Sequence, residues 1–244
     1  IVCVGKGKNN PLDQTANPYT CVEKSPKKNM NPKMLASFED GSKTMIEMTA
    51  LANAINLPPD QIGMNGPVSS VEELNKVLIP QADGGVLSES GRVDYAFGPA
   101  PGVFSIVKSD NPTVIEEMEY LSMGEGPYYT LYRPYHLASI EAPRSIGMAI
   151  INNEPGLQPK SWIAEVIGHA KKDLKKGEKI DGIGGFATYG VTYPVANTDN
   201  LIPLGLLEGA TVIKELKKGE PITKDSVELP ENLINSLRKL QEAS

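Results

Sequence analysis

Apolar and polar positions along the chain change period several times, and each change predicts an element. Ile1 to Val4 is a strand-like apolar run, and Gly5 to Asp13 then offers two lysines, two asparagines and a carboxylate. A buried strand emptying into a short polar loop is how open α/β sheets present reactive groups at their carboxyl edge. Gln14 to Lys33 holds Pro18, Pro26 and Pro32 with Lys24, Lys27 and Lys28, and reads as an irregular excursion. Met34 to Phe38 is expected as a strand ending at the turn Glu39-Asp40-Gly41. Met45, Met48, Ala52 and Ile55 then form the apolar stripe of a helix. Thr44 and Glu47 match a capping box at its start, and Pro58-Pro59 ends it.

Ser69 and Ser70, each three residues before a glutamate, predict a second helix to about Leu78. Strands are expected over Val93–Phe97 and Val103–Val107, and a helix from Asp110-Asn111-Pro112 to about Met123. Pro127 to Arg133 is aromatic and β-branched enough for a strand, and His136 to Asn153 reads as a helix interrupted at Pro143. From Ala164 helical periodicity disappears until Asn232. Within that region Lys172-Asp-Leu-Lys-Lys-Gly-Glu-Lys-Ile180 recurs 42 residues later as Lys214-Glu-Leu-Lys-Lys-Gly-Glu-Pro-Ile222. The two copies predict related hairpin-like corners of a small all-β domain, and two are too few for a solenoid. Leu233, Leu237 and Leu240 give the terminal helix one apolar face, expected to dock on the body of the protein.

Composition adds exclusions. The 244 residues suffice for one large or two modest domains, and a net charge of −6 gives no general pull toward nucleic acid or anionic membrane. No run approaches a membrane span. Two cysteines, Cys3 and Cys21, make no disulfide framework, so a cytoplasmic setting is the simplest expectation. The two histidines cannot alone build a three-His metal site, and the dispersed carboxylates show no ligand spacing, so no metal ligands are assigned.

Reduction of a keto group needs an acid or cation near the carbonyl oxygen, and an isomerising variant must also move a proton from a hydroxyl. Lys6 and Lys8, two residues apart, point the same way if the strand continues. Asp13 would orient one of them or accept a substrate hydroxyl, and Asn9 and Asn10 suit hydroxyl or phosphate oxygens. The alternative is a solvated surface loop, and the stretch alone does not choose. Lys43 and Glu47 share a helix face; spacing favours an exposed ion pair, while function would put Lys43 at a helix N-terminus beside a phosphate. Asp40 is an acid–base candidate or a turn former. Arg133 would grip a phosphate or carboxylate and His136 transfer a proton, or both belong to a tyrosine-rich interface. His169 reads as structural.

Long stretches of the chain resemble one family. They are Gly-Lys-Gly-Lys-Asn-Asn-Pro-Leu-Asp (5–13), Asn-Pro-Lys-Met-Leu (31–35), Ser-Phe-Glu-Asp-Gly-Ser-Lys-Thr-Met-Ile-Glu-Met (37–48) and Asp-Gly-Gly-Val-Leu-Ser (83–88). Ala-Pro-Gly-Val-Phe (100–104) and Gly-Pro-Tyr-Tyr-Thr-Leu-Tyr-Arg-Pro-Tyr-His-Leu (126–137) complete the set. The chain resembles homoserine-dehydrogenase-like oxidoreductases that end in a SAF (antifreeze-like, β-clip) domain, a group that includes the deoxyxylulose-5-phosphate reductoisomerase-like enzymes. The resemblance implies an α+β chain. Residues 1–158 would form a mixed-sheet catalytic and oligomerisation domain, starting at the last strand of a Rossmann domain. Residues 159–244 would form the all-β SAF-like domain and a terminal helix. It tips Lys6, Lys8 and Asp13 toward catalysis, and Asn9 and Asn10 toward substrate. Asp40 and Lys43 are kept as further catalytic candidates and Glu47, Arg133 and His136 as substrate-binding ones, with the interface reading of Arg133 and His136 slightly favoured by the residues alone.

It also implies NAD(P)H, bound mainly by a Rossmann domain outside this chain in cis or trans, and a homo-oligomer acting on a small keto or hydroxy compound, with a phosphorylated keto-sugar within range. Without that domain the chain is expected to be inactive. A divalent ion would follow only from analogy with reductoisomerase chemistry. Gly182-Ile-Gly-Gly-Phe-Ala187 fits a dinucleotide fingerprint in letters, but it lacks the strand before and the helix after that the motif needs. The alternative function is a SAF-type sugar- or polyol-binding module without catalysis of its own.

Overall fold

Residues 1–243 are described by a computed structural model. In chain order the elements are β1 (Cys3–Lys8), α1 (Pro18–Cys21), α2 (Pro32–Glu39), α3 (Ser42–Ile55), α4 (Leu74–Val77), β2 (Arg92–Phe97) and β3 (Val103–Lys108). There follow α5 (Pro112–Tyr120), β4 (Tyr128–Arg133), α6 (Ala138–Gly147), β5 (Ala164–Ala170), β6 (Thr188–Pro194), β7 (Thr211–Val212), β8 (Val227–Glu228) and α7 (Leu233–Glu242). A π-helical turn, Met148–Asn152, continues α6. The fold is α+β: a mixed four-stranded sheet with helices, then small antiparallel sheets and a terminal helix.

Two compact units form. Ile1–Asn9 joins Ala50–Ile163 in one, and Asn10–Thr49 joins the chain from Ala164 onward in the other. The first contains the sheet, ordered β2-β1-β3-β4, with β1 parallel to β2 and β3 antiparallel to both β1 and β4. Strand β1 is therefore an interior strand, paired along both edges. One face of the sheet carries Cys3, Ala96, Phe104 and Ile106 into a core with Leu74, Leu78 and Leu87. Each fully buried Leu or Ile there contributes roughly 1.5–3 kcal/mol. Ser69 does not open a long helix: its N–H donates to the Phe97 carbonyl at 2.9 Å, which keeps it extended, and only the short α4 forms.

Residues 34–38 are helical, which corrects the expected strand. Asn31 Oδ1 accepts the Met34 N–H at 2.7 Å, and Pro32 stands at the first helical position. Those two start signals override a weak alternation, and Leu35, Ala36, Ser37 and Glu39 are buried along the helix.

In the second unit the two repeats pair with each other rather than forming separate corners. Leu174 and Leu216 exchange both backbone hydrogen bonds, at 2.8 and 3.1 Å. Gly177 N–H donates to the Val212 carbonyl and Gly219 N–H to that of Ala170, both at 2.8 Å. Ile180 to Ala210 and Ile222 to Gly168 repeat the relation at 2.9 and 2.8 Å. Every bond maps onto its mate by adding 42 to one residue and subtracting 42 from the other, which is a local pseudo-twofold. Gly177 and Gly219 sit at φ of 90° and 87°, where a side chain would be strained, so the Lys-Lys-Gly-Glu turns need their glycines.

The terminal helix corrects another expectation. Leu233, Ile234, Leu237 and Leu240 are exposed, and α7 is held by its polar side. Asn235 is buried, with its Nδ2 donating to the Pro230 carbonyl at 2.8 Å, and Arg238 pairs with Glu165 at 2.7 Å.

Candidate functional site

Strand register brings several of the candidate residues to one end of the four-stranded sheet. Lys6 pairs with Tyr95 on β2 and Val103 on β3, and Val103 pairs with Arg133 on β4. Paired residues share a face, so Lys6, Tyr95, Val103 and Arg133 form a row on the face opposite the apolar core. Lys8 and its partner Phe97 lie on that face beyond the row. Strands β1, β2 and β4 all end here. Lys8 is only 5% exposed and stands 6.0 Å from the centre of the Phe97 ring, within cation–π range. Lys6 is half-buried, and Asn9 is exposed just past the strand.

Arg133 ends β4 exposed, 2.5 Å from Glu141 and 5.6 Å from the Tyr135 ring. His136 is half-buried, its Nδ1 2.6 Å from the Pro101 carbonyl oxygen. Lys6, Lys8, Asn9, Arg133 and His136 are thus all members of the first unit, and the rows tie Lys6, Lys8 and Arg133 to a single sheet face.

The other candidates belong to the second unit. Asn10 Oδ1 accepts Lys28 Nζ at 2.5 Å. Asp13 is exposed and accepts the Thr15 hydroxyl at 2.6 Å and N–H at 2.9 Å; the hydroxyl bond, above all, holds its carboxyl below the ordinary range. Lys43 is half-buried in the first turn of α3, 5.4 Å from the Phe38 ring, with Glu47 one turn further on.

Asp40 is buried. Its Oδ1 accepts the Ser42 N–H at 2.8 Å, and its Oδ2 lies 2.7 Å from Lys171 Nζ, the side chains being 0% and 2% exposed. Lys171 also donates to the Ala16 carbonyl at 2.6 Å and the Gly185 carbonyl at 2.8 Å. One ammonium therefore joins three chain segments, and Asp40 is the anion that makes its burial tolerable. Sequence reasoning passed over Lys171 because it stands in a lysine-rich run whose other members look solvated. Its signal would have been its place at the end of an apolar strand.

Two more buried groups are structural. Asp94 accepts N–H groups of Asn65, Gly66 and Tyr95 at 2.8–3.0 Å, yet burial outweighs them and raises its carboxyl. His169 Nε2 lies 3.0 Å from the Tyr193 hydroxyl and its Nδ1 2.9 Å from the Gly219 carbonyl oxygen; burial pushes the imidazole down.

The two glycine motifs, 5–7 and 182–187, do not fit a dinucleotide. A Cβ at Gly5 would collide with the Asp94 carbonyl oxygen, and one at Gly7 with the Pro99–Ala100 backbone. At Gly184 it would meet the Lys33 carbonyl oxygen and at Gly185 the Asp181 carboxylate. These glycines admit neighbouring chain, not a pyrophosphate, and strand β6 rather than a helix follows the second set. Among the described residues no group of three or more His, Cys, Asp or Glu is placed to hold a metal ion. No described helix is long and apolar enough to cross a membrane.

Residues 1–142 match the family model described as oxidoreductase DRL, catalytic domain, and residues 156–228 match the SAF domain model. No curated protein matches the chain at a significant level.

Proposed function

The chain belongs to the DRL oxidoreductase family, and we propose that it is the substrate-side portion of an NAD(P)-dependent oxidoreductase acting on a small keto or hydroxy compound. The observation that supports this reading most is the cationic end of the four-stranded sheet, where Lys6, Lys8 and Arg133 share one face. Negative charge developing on a carbonyl oxygen is stabilised by a fixed cation in water-poor surroundings. Lys8, buried at the strand end, has that role in this reading. Lys6, on the same face, is the group that would move a hydroxyl proton in an isomerising reaction. Arg133 presents a planar fork suited to a phosphate or carboxylate on the substrate, with Asn9 and His136 as further polar contacts.

In the second unit, taken by itself, Lys43 at a helix start is a candidate anion contact, with Glu47 and Asn10 as further polar candidates. Asp40 and Asp13 are assigned to positioning, since one anchors Lys171 and the other shapes the 13–15 turn. A homoserine-dehydrogenase-like or reductoisomerase-like enzyme for a phosphorylated keto-sugar is the finer form of the proposal. Nicotinamide binding is assigned to a Rossmann domain in cis or trans, because Gly5, Gly7, Gly184 and Gly185 pack against neighbouring chain. No metal ligands are assigned. A cytoplasmic setting suits two buried free thiols.

The test is a reduction screen with the whole protein, NADPH, small keto acids and keto-sugar phosphates. Turnover of at least one is expected, and residues 1–244 alone should oxidise no NADPH. Sugar binding without any nicotinamide binding would favour the SAF-type binding module instead.

A further inference from the structure

Helix α7 sits on the second unit the wrong way round for an amphipathic helix, with Leu233, Ile234, Leu237 and Leu240 exposed. Its polar residues Asn235, Ser236 and Lys239 instead line a cavity of about 700 Å³. The body of the unit supplies apolar side chains to the same cavity, among them Ile202, Leu206 and Val227. All its lining residues belong to the second unit, so the cavity is separate from the sheet end of the first. Polar groups gain nothing by packing on an apolar floor, and the two surfaces leave between them a space of the size that small ligands fill.

Asn235 defines what would fill it. The residue is 5% exposed, and its Nδ2 donates to the Pro230 carbonyl oxygen at 2.8 Å. A flipped amide would set Oδ1 against that carbonyl, acceptor against acceptor, so the orientation is fixed. Oδ1 is therefore a buried acceptor, and among the described residues no donor meets it. Buried polar atoms are ordinarily satisfied, and an exception in a cavity wall calls for a donor from outside the chain. We propose that the cavity beneath α7 binds a small apolar molecule bearing a single N–H or O–H donor, of the indole or phenol kind. The apolar body would lie on Ile202, Leu206 and Val227, and the donor would complete Asn235 Oδ1. A polyol would bring several hydroxyls that the apolar floor leaves unpaired. Lys224 and Arg238 in the lining both pair with Glu242, which removes most of the attraction for an anion.

Isothermal titration of the 244-residue chain with indole, 1-methylindole and sorbitol tests this. Indole should bind with a Kd below about 1 mM. 1-Methylindole keeps the ring but lacks the donor, and should bind about tenfold more weakly. Ser236→Trp, a change at an exposed position of the wall, should fill the cavity and raise the indole Kd at least about tenfold with the circular dichroism spectrum unchanged. Asn235→Leu should bring indole and 1-methylindole to the same affinity. Absence of indole binding to about 5 mM would overturn the proposal. So would equal affinity of the wild type for the two indoles, indole binding that Ser236→Trp leaves unaltered, or sorbitol binding that Ser236→Trp abolishes.

Discussion

The repeat-built core of the second unit and the 138–152 helix of the first differ in how far each supplies its own contacts. In the core, Leu174 and Leu216 answer each other across a pseudo-twofold, and Lys171 has a carboxylate and two carbonyls around it. The helix presents its isoleucines outward and buries none of them. Regions that satisfy themselves tolerate little change, whereas regions that face outward can change without unfolding the chain. The lesson extends to charge: a buried cation matched on every side is architecture, and the search for chemistry moves to the sheet end.

Substitution should expose that contrast first at Lys171. Lys171→Ala leaves the Asp40 carboxylate buried without its cation, and a loss of about 3–5 kcal/mol is expected in urea unfolding. Ile151→Ser should shift the same midpoint hardly at all in the monomer; a comparable loss there would erase the distinction. Next come Leu174→Ala and Leu216→Ala, each costing about 2–4 kcal/mol because each empties a buried site. The pseudo-twofold predicts similar losses and strong coupling in the double variant. One costly and one silent substitution would break the symmetry.

A smaller effect, about 1 kcal/mol, is expected for Asn31→Ala, which removes the cap that makes residues 32–39 helical. The smallest concerns pH. Burial holds the His169 imidazole below its ordinary 6.5, so the unfolded chain takes up the proton more readily. That contribution to stability is fully present above about pH 6.5 and is lost as pH falls through the folded value. Urea midpoints at about pH 7.5 and 5.5 should therefore differ less in His169→Gln than in wild type. An unaltered difference would remove His169 as the cause.

Much of this was legible in the sequence where two local signals agreed. The methionine stripe marked α3, although the helix starts at Ser42 and so places the expected Thr44 cap inside it; the Asn111-Pro112 pair marked α5, and the alternation of 93–97 and 103–107 marked β2 and β3. Signals failed where a tertiary contact overrode them: Ser69 is held extended by Phe97, and α7 docks through Asn235 and Arg238 rather than its leucines. At the site, the period of two along β1 correctly put Lys6 and Lys8 on one face, because side-chain alternation is local. That Arg133 joins their face depends on the β1–β3–β4 register, and that Asp40 meets Lys171 depends on residues 131 positions apart. No local pattern encodes either.

The most direct test of the proposed role for the sheet end is NADPH-dependent reduction by the whole protein, wild type against Lys8→Ala, on the substrate that the screen identifies. With the urea midpoint and circular dichroism preserved, kcat/KM is predicted to fall about 10²–10³-fold, carried mainly by kcat. A Lys8→Ala protein that turns over at the wild-type rate would contradict the account.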